Sequence, residues 1–140
     1  VWSKIVVLQA GDTAQVMAAS HLFDGLPQAP STERFLQREG HHMLIAYVDG
    51  EPAGFVTGIE IEHPDKGFEM LLYELGVDPP FQGQGVGRAL VDHLMALANE
   101  LGCYGMWTVT DRDNATARAV YEGSGAEPEG DQIVEVWTFT

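Results

Sequence analysis

Three glycines at alternate positions, Gly83, Gly85 and Gly87, stand between a short apolar run and a helical pattern. The run, Leu71 to Val77, is strand-like, and Pro79 and Pro80 stop it because proline cannot donate to a sheet ladder. After the glycines, Leu90, Leu94, Leu97, Ala98 and Leu101 recur at helical spacing, and Gly102 stands where a helix C-cap takes positive φ. The order is strand, glycine-rich turn, helix. The first amides of a helix lack intrahelical partners and carry the positive end of the dipole, so this turn suits a phosphate or pyrophosphate. A glycine-rich turn that binds nothing fits the same three residues about as well.

A second chemical group lies on the preceding strand. Glu74 alternates with Leu72 and Gly76 in an otherwise apolar run, and it is expected on their face of the strand, partly buried. A carboxylate there is costly unless it is paired or functional. Partial burial makes such a group a better proton acceptor near neutrality, the property a general base needs. A face open to solvent, or an arginine partner, is the plainer alternative.

Known phosphate motifs separate the readings. The dinucleotide fingerprint requires Gly-x-Gly-x-x-Gly, and a P-loop requires Lys followed by Ser or Thr; neither is present, since Arg88 and Ala89 follow Gly87. The pattern Gln82-x-x-Gly85-x-Gly87 after Leu75-Gly76-Val77 instead resembles the coenzyme A pyrophosphate loop of the GNAT N-acetyltransferases. Downstream, Asn114-x-x-Ala117-x-x-x-Tyr121-x-x-x-Gly125 resembles the next helix of that family. The resemblance spans nearly the whole chain.

It implies a GNAT fold of the α/β (α+β) class: a mixed, mostly antiparallel central sheet, helices on both faces, and a splay between the fourth and fifth strands. It implies acetyl-CoA as cofactor, held by Gln82, Gly83, Gln84, Gly85, Val86, Gly87 and Arg88 at the pyrophosphate. Backbone amides of Leu75, Gly76 and Val77 would meet the pantetheine arm and the thioester oxygen, with Asn114 and Ala117 nearby. Gly76 would let the strand bulge. Glu74 takes the position of the acid that acts on the amine, and Tyr121 that of the hydroxyl that protonates the leaving sulfur. Asn114 is also an ordinary N-cap, and Tyr121 also suits a packing role.

Along the chain, Ile5 to Leu8 reads as a first strand, and Asp12 caps a helix from Thr13 to about Phe23. Ser31 or Thr32 opens a second helix that ends near Gly40. Strands follow over His42 to Val48, over the alternating stretch from Ala53, and over Phe68 to Val77, with Asp49-Gly50 as a hairpin turn. Tyr104 to Thr110 is expected as a fifth strand, Ala115 to about Glu122 as a fourth helix, and Gln132 to Phe139 as a last strand. The whole, residues 1–140, reads as a single domain.

The formal net charge is −14, with 21 acidic residues against seven lysines and arginines. This balance argues against a nucleic-acid partner and favours a cationic small-molecule amine. Asp111, Asp113, Asp131 and Glu135 fall at strand ends or on the last strand, where an acceptor cleft is expected; an acidic rim without a ligand is the alternative. The five histidines show no metal-ligand spacing. His41 and His42 are expected to point apart. The single Cys103 allows no intrachain disulfide, and no apolar run reaches the length of a membrane span. Val1-Trp2-Ser3-Lys4 leads straight into a strand-like run without a signal-peptide pattern, so a cytoplasmic location and no membrane are expected; a homodimer is left open.

Within the family, Tyr73-Glu74-Leu75-Gly76-Val77 resembles the corresponding strand of type I aminoglycoside 3-N-acetyltransferases, and Asp111 lies ten residues before Tyr121 as an Asp does there. Glu replaces Asp at 74, Asn114 stands where that group tends to have Asp, and the segment after Gly125 is longer. The resemblance implies acetylation of an aminoglycoside, at its 3-amino group. The alternatives are another small amine, a protein amino group, or a non-catalytic acetyl-CoA module.

Overall fold

The computed structural model describes residues 3–139. Five strands form one sheet in the order β1-β2-β3-β4-β5: β1 is Ser3–Val7, β2 His41–Val48, β3 Glu51–His63, β4 Gly67–Val77 and β5 Met106–Trp107. The first four pair antiparallel, and β5 runs parallel to β4. Helices α1 (Thr13–Ala18) and α2 (Ala29–Gln37) cover one face, and α3 (Val86–Glu100) and α4 (Ala115–Gly123) cover the other. The mixed sheet with helices on both faces is the expected architecture.

Alternation along β2 divides the core. Leu44, Ala46 and Val48 pack with Leu90, Val91 and Leu94 of α3, while Met43 and Ile45 pack with Val16 of α1 and with Phe55. Gly54 and Gly58, four residues apart on β3, lie under α3. A Cβ at Gly54 would come within 3.2 Å of Leu90, and one at Gly58 within 2.8 Å of Leu94. Small residues at these two positions let the helix lie close to the sheet. His41 packs against Phe35 with the rings tilted and His42 bonds Glu60 at 2.7 Å, so the adjacent histidines point to opposite faces.

Several elements depart from the sequence expectation. Helix α1 ends at Ala18 and continues only as a 3₁₀ turn, Ser20–Leu22. Asp12 precedes it but does not cap it, because its carboxylate accepts from the Gln9 amide at 2.8 Å. Helix α2 begins at Ala29 with Pro30 in its first turn, ahead of Ser31. Strand β5 is two residues long rather than seven. The last expected strand is not formed: Gln132 to Phe139 pairs with nothing among the described residues and is exposed throughout. Its composition favours a strand, but a strand needs a neighbour with free ladder groups, and the chain lays none beside it.

Candidate active site

The glycine-rich turn is fastened to the end of β4. Gln82 Nε2 donates to the Val77 carbonyl at 3.1 Å, and Gln84 Nε2 donates to the Pro80 carbonyl at 3.3 Å. Gly83 and Gly85 have φ of +78° and +83°, the left-handed region that favours glycine, and a Cβ on either would meet nothing within 4 Å. Gly85 is the N-cap of α3 and supplies no side chain to the helix start. The amides of Val86, Gly87 and Arg88 therefore face an open approach without intrahelical partners, as an anion site requires. Gly87 serves differently. It is buried, and its Cβ position is 3.5 Å from Val77 and 3.7 Å from Val120, so it seats α3 between β4 and α4. Arg88 pairs with Asp92 at 3.3 Å and stands beside Gly123 of α4.

The β4 strand changes phase at Tyr73. Thr57 faces Glu74 and Gly58 faces Leu72, which leaves Tyr73 as the extra residue of a bulge. Leu72 thus points into the core under α3, while Glu74 shares the opposite face with Thr57, Phe55 and Gly76. The expectation that Glu74 shares a face with Leu72 fails for this reason, and the bulge lies three residues before Gly76. The expected burial of Glu74 also fails. Pairing of β5 with β4 stops at Leu71, so the second half of β4 is open on that side and the carboxylate is exposed. Its Oε1 accepts from the Thr57 hydroxyl at 3.1 Å, and Thr57 is itself buried. Gly76 is held by close packing: a Cβ there would lie 2.8 Å from the Phe55 ring.

Where β5 leaves β4, the Thr108 hydroxyl donates to the Leu72 carbonyl at 2.8 Å. Beyond this bond Leu75, Gly76 and Val77 have no ladder partner on the β5 side, so a slot opens between the two strands. At the other end of β5, Tyr104 donates to Glu69 at 2.9 Å, and His63 bonds the same carboxylate at 3.0 Å. His63 first and Tyr104 second hold the Glu69 carboxyl below its ordinary range.

Tyr121 reaches the slot from α4. A cavity of about 190 Å³ lies beside it, lined by Leu72, Val91, Met95, Met106, Trp107, Thr108, Ser124, Gly125 and Ala126. Burial raises the Tyr121 phenol, partly offset by the neighbouring Thr108 hydroxyl. Asn114 caps α4, its Oδ1 accepting from the Ala117 amide at 3.1 Å. This is the N-cap bond expected from sequence, and it occupies the Asn114 side chain locally.

The acidic residues lie on two exposed segments. Asp111 and Asp113 lie in the exposed turn before α4, where their carbonyls accept from the Asn114 and Ala115 amides. Glu135 and Asp131 lie on the unpaired C-terminal segment. Among the described residues, no three His, Cys, Asp or Glu side chains are grouped to hold a metal. Among them, too, no helix is long and apolar enough to cross a membrane. Sequence reasoning passed over Thr57 and Thr108. The available signal for Thr57 was a hydroxyl at the centre of an apolar strand, which must find a partner when buried.

The residues present suit a coenzyme A: free helix amides at an open glycine turn, an unpaired stretch of β4, and a tyrosine at the far end of the slot. Comparison with known proteins agrees. The model of the acetyltransferase (GNAT) family matches residues 14–126. A [ribosomal protein bS18]-alanine N-acetyltransferase of Escherichia coli strain K12 is 30% identical over 118 residues, covering 81% of this chain and 76% of that protein. Its Salmonella typhimurium counterpart is 39% identical over 112 residues, covering 79% and 70%. Among solved structures, an aminoglycoside acetyltransferase from an uncultured soil metagenomic sample, in complex with sisomicin, superposes with a TM-score of 0.89 at 18% identity, covering 99% of this chain and 97% of that one.

Proposed function

The chain belongs to the acetyltransferase (GNAT) family, and from that premise we propose that it acetylates an amino group of an aminoglycoside antibiotic. It is an N-acetyltransferase, and acetyl-CoA is its acyl donor, supplying an acetyl group activated as a thioester. The amides of Val86, Gly87 and Arg88 hold the pyrophosphate, with Gln82 and Gln84 keeping the turn in shape. Amides of Leu75 to Val77 line the slot and meet the thioester oxygen. Glu74, held by Thr57 on the α1–α2 face, accepts the proton that the attacking amine releases, directly or through water. Tyr121, on the α3–α4 side, gives its phenolic proton to the departing sulfur. All of these residues act within a single domain.

The observation that carries the substrate class is the net charge of −14, with Asp111 and Asp113 exposed in the turn before the helix that bears Tyr121. A polyamine sugar gains charge-assisted hydrogen bonds and long-range attraction from such a surface. The 3-amino group is favoured by the Tyr73 to Val77 segment. The fold is shared with an aminoglycoside N-acetyltransferase designated AAC(6'). The bS18-alanine N-acetyltransferases, at 30–39% identity, support a second reading, the terminal amine of a peptide.

Thiol release with acetyl-CoA tests these readings against sisomicin, neutral primary amines and a peptide with N-terminal alanine. The aminoglycoside should turn over fastest, with KM rising with ionic strength and saturated turnover nearly constant. NMR of the product then assigns the acetylated amine. Equal turnover of neutral and polycationic amines without salt dependence would sink the aminoglycoside reading, and preference for the peptide would establish the second.

A further inference from the structure

The slot between β4 and β5 does not end blind. At its closed end the Thr108 hydroxyl donates to the Leu72 carbonyl at 2.8 Å, with Tyr121 beside them. The same three residues form part of the wall of the cavity of about 190 Å³. Leu72 turns its side chain toward α3, so the cavity continues from the closed end of the slot onto the α3–α4 side. It lies across the sheet from Glu74, which shares the other face with Phe55.

The lining of the cavity suits carbon. Val91 and Met95 of α3 and Met106 of β5 present aliphatic and thioether side chains, and methionine adapts its shape to what it packs against. Thr108 has committed its proton to Leu72, and Ser124 Oγ is buried without a hydrogen-bond partner. A trapped water needs several polar partners at once, and this wall does not gather them. An apolar cavity of roughly 150 Å³ takes a six-carbon ring and stays dry without one. An acetyl group, with a single methyl beyond its carbonyl, leaves such a space unfilled.

We propose that this cavity is an acyl-chain pocket, and that the protein binds short straight-chain acyl-CoA thioesters with four carbons favoured over two. The inference rests on the thioester lying in the slot beside Tyr121, as in the function proposed above. With the carbonyl oxygen at the amides of Leu75 to Val77 and the sulfur at Tyr121, the rest of the chain runs past Thr108 into the cavity. The transfer is the one already described. The amine nitrogen bonds to the carbonyl carbon and the carbon–sulfur bond breaks. The amine proton passes to Glu74, the Tyr121 proton passes to the leaving sulfur, and solvent returns a proton from the one residue to the other. The products are the longer amide and coenzyme A. Each buried methylene should strengthen binding about fourfold, and two about 15-fold, until the chain outgrows the space.

Calorimetric titration of the full chain with acetyl-, butyryl-, hexanoyl- and octanoyl-CoA, without any amine, tests this. Affinity should rise from acetyl to butyryl and fall back by octanoyl. Ser124→Leu fills the cavity from the end of α4; it should abolish the rise and leave acetyl-CoA affinity unchanged. Met95→Ala, at an exposed position on α3, should enlarge the cavity and move the optimum to hexanoyl-CoA. Equal affinity for acetyl- and butyryl-CoA in the parent overturns the proposal, and so does a rise that survives Ser124→Leu. Should that variant lose acetyl-CoA as well, Met95→Ala decides, and an unmoved optimum overturns the proposal. Failure of the aminoglycoside as acceptor leaves this ranking untouched, whereas a chain that binds none of the four thioesters overturns both readings.

Discussion

The Thr57 hydroxyl donates to Glu74 Oε1 at 3.1 Å across the β3–β4 ladder, from a position that is itself 1% exposed. A buried donor thus fixes an exposed acceptor. Replacing Glu74 by Gln should lower kcat by about 10²-fold or more, the usual loss of a general base, with acetyl-CoA affinity unchanged. Thr57→Val keeps the shape and removes the donor, so kcat should fall by a smaller factor, about tenfold, for one hydrogen bond to a charged group. Steady-state kinetics and calorimetric titration of acetyl-CoA measure both. A Glu74→Gln enzyme with wild-type kcat would reduce the carboxylate to a surface group.

Tyr121→Phe removes only a hydroxyl and should slow turnover by about 10²-fold if the phenol serves as a general acid. Burial raises this group above its ordinary value near 10, so the proton-donating form persists to higher pH than for a free tyrosine. The folded state holds this proton more tightly than the unfolded one. The contribution to stability is then whole below pH about 10 and is lost as pH rises through the folded value. Denaturant midpoints on the alkaline side should decline less in Tyr121→Phe than in the parent, and equal declines would contradict the assignment.

At the helix start, Gly85→Asp should weaken acetyl-CoA binding at least about tenfold by setting a charge against the pyrophosphate. The new Cβ meets no protein atom, so the accompanying stability loss should be confined to the left-handed backbone, about 1–2 kcal/mol. Gly85→Ala separates the effects, keeping the strain without the charge. Calorimetry showing unchanged affinity in Gly85→Asp would put the cofactor elsewhere.

Gly76→Ala should destabilise by about 1–3 kcal/mol through overpacking, because its Cβ would sit 2.8 Å from a Phe55 ring already packed, tilted, with its centroid 4.5 Å from that of Phe23. Phe55→Leu in the same chain should restore part of the loss. Non-additivity in urea unfolding is the readout, and a strictly additive pair would locate the cost outside this contact.

Much of this arrangement was legible in the residues. Pro79 to Gly87 gives the strand end, the turn and the helix start, and Asn114 bonds the Ala117 amide as its N-cap spacing implies. What escaped were choices between partners. Asp12 has the right side chain for a cap, yet the Gln9 amide takes it. Alternation through Leu72, Glu74 and Gly76 fits a flat strand, but one extra residue reverses the phase, and no residue type announces a bulge at Tyr73. Gln132 to Phe139 has the composition of a strand, but composition does not supply the neighbour a strand needs.

That extra residue makes β4 two half-strands written in opposite phase. Upstream, Met70 and Leu72 belong to the packing beneath α3; downstream, Glu74 and Gly76 belong to the other face. Straightening β4 with Tyr73 retained would merge the halves, driving a carboxylate under α3 and turning Leu75 outward, whereas deleting Tyr73 would leave Leu72 and Glu74 on their present, opposite faces. Substitutions at this exposed tyrosine leave the phase intact. The site therefore depends on the extra residue staying outside the ladder, and neither its identity nor its loss changes which face Glu74 and Leu75 occupy.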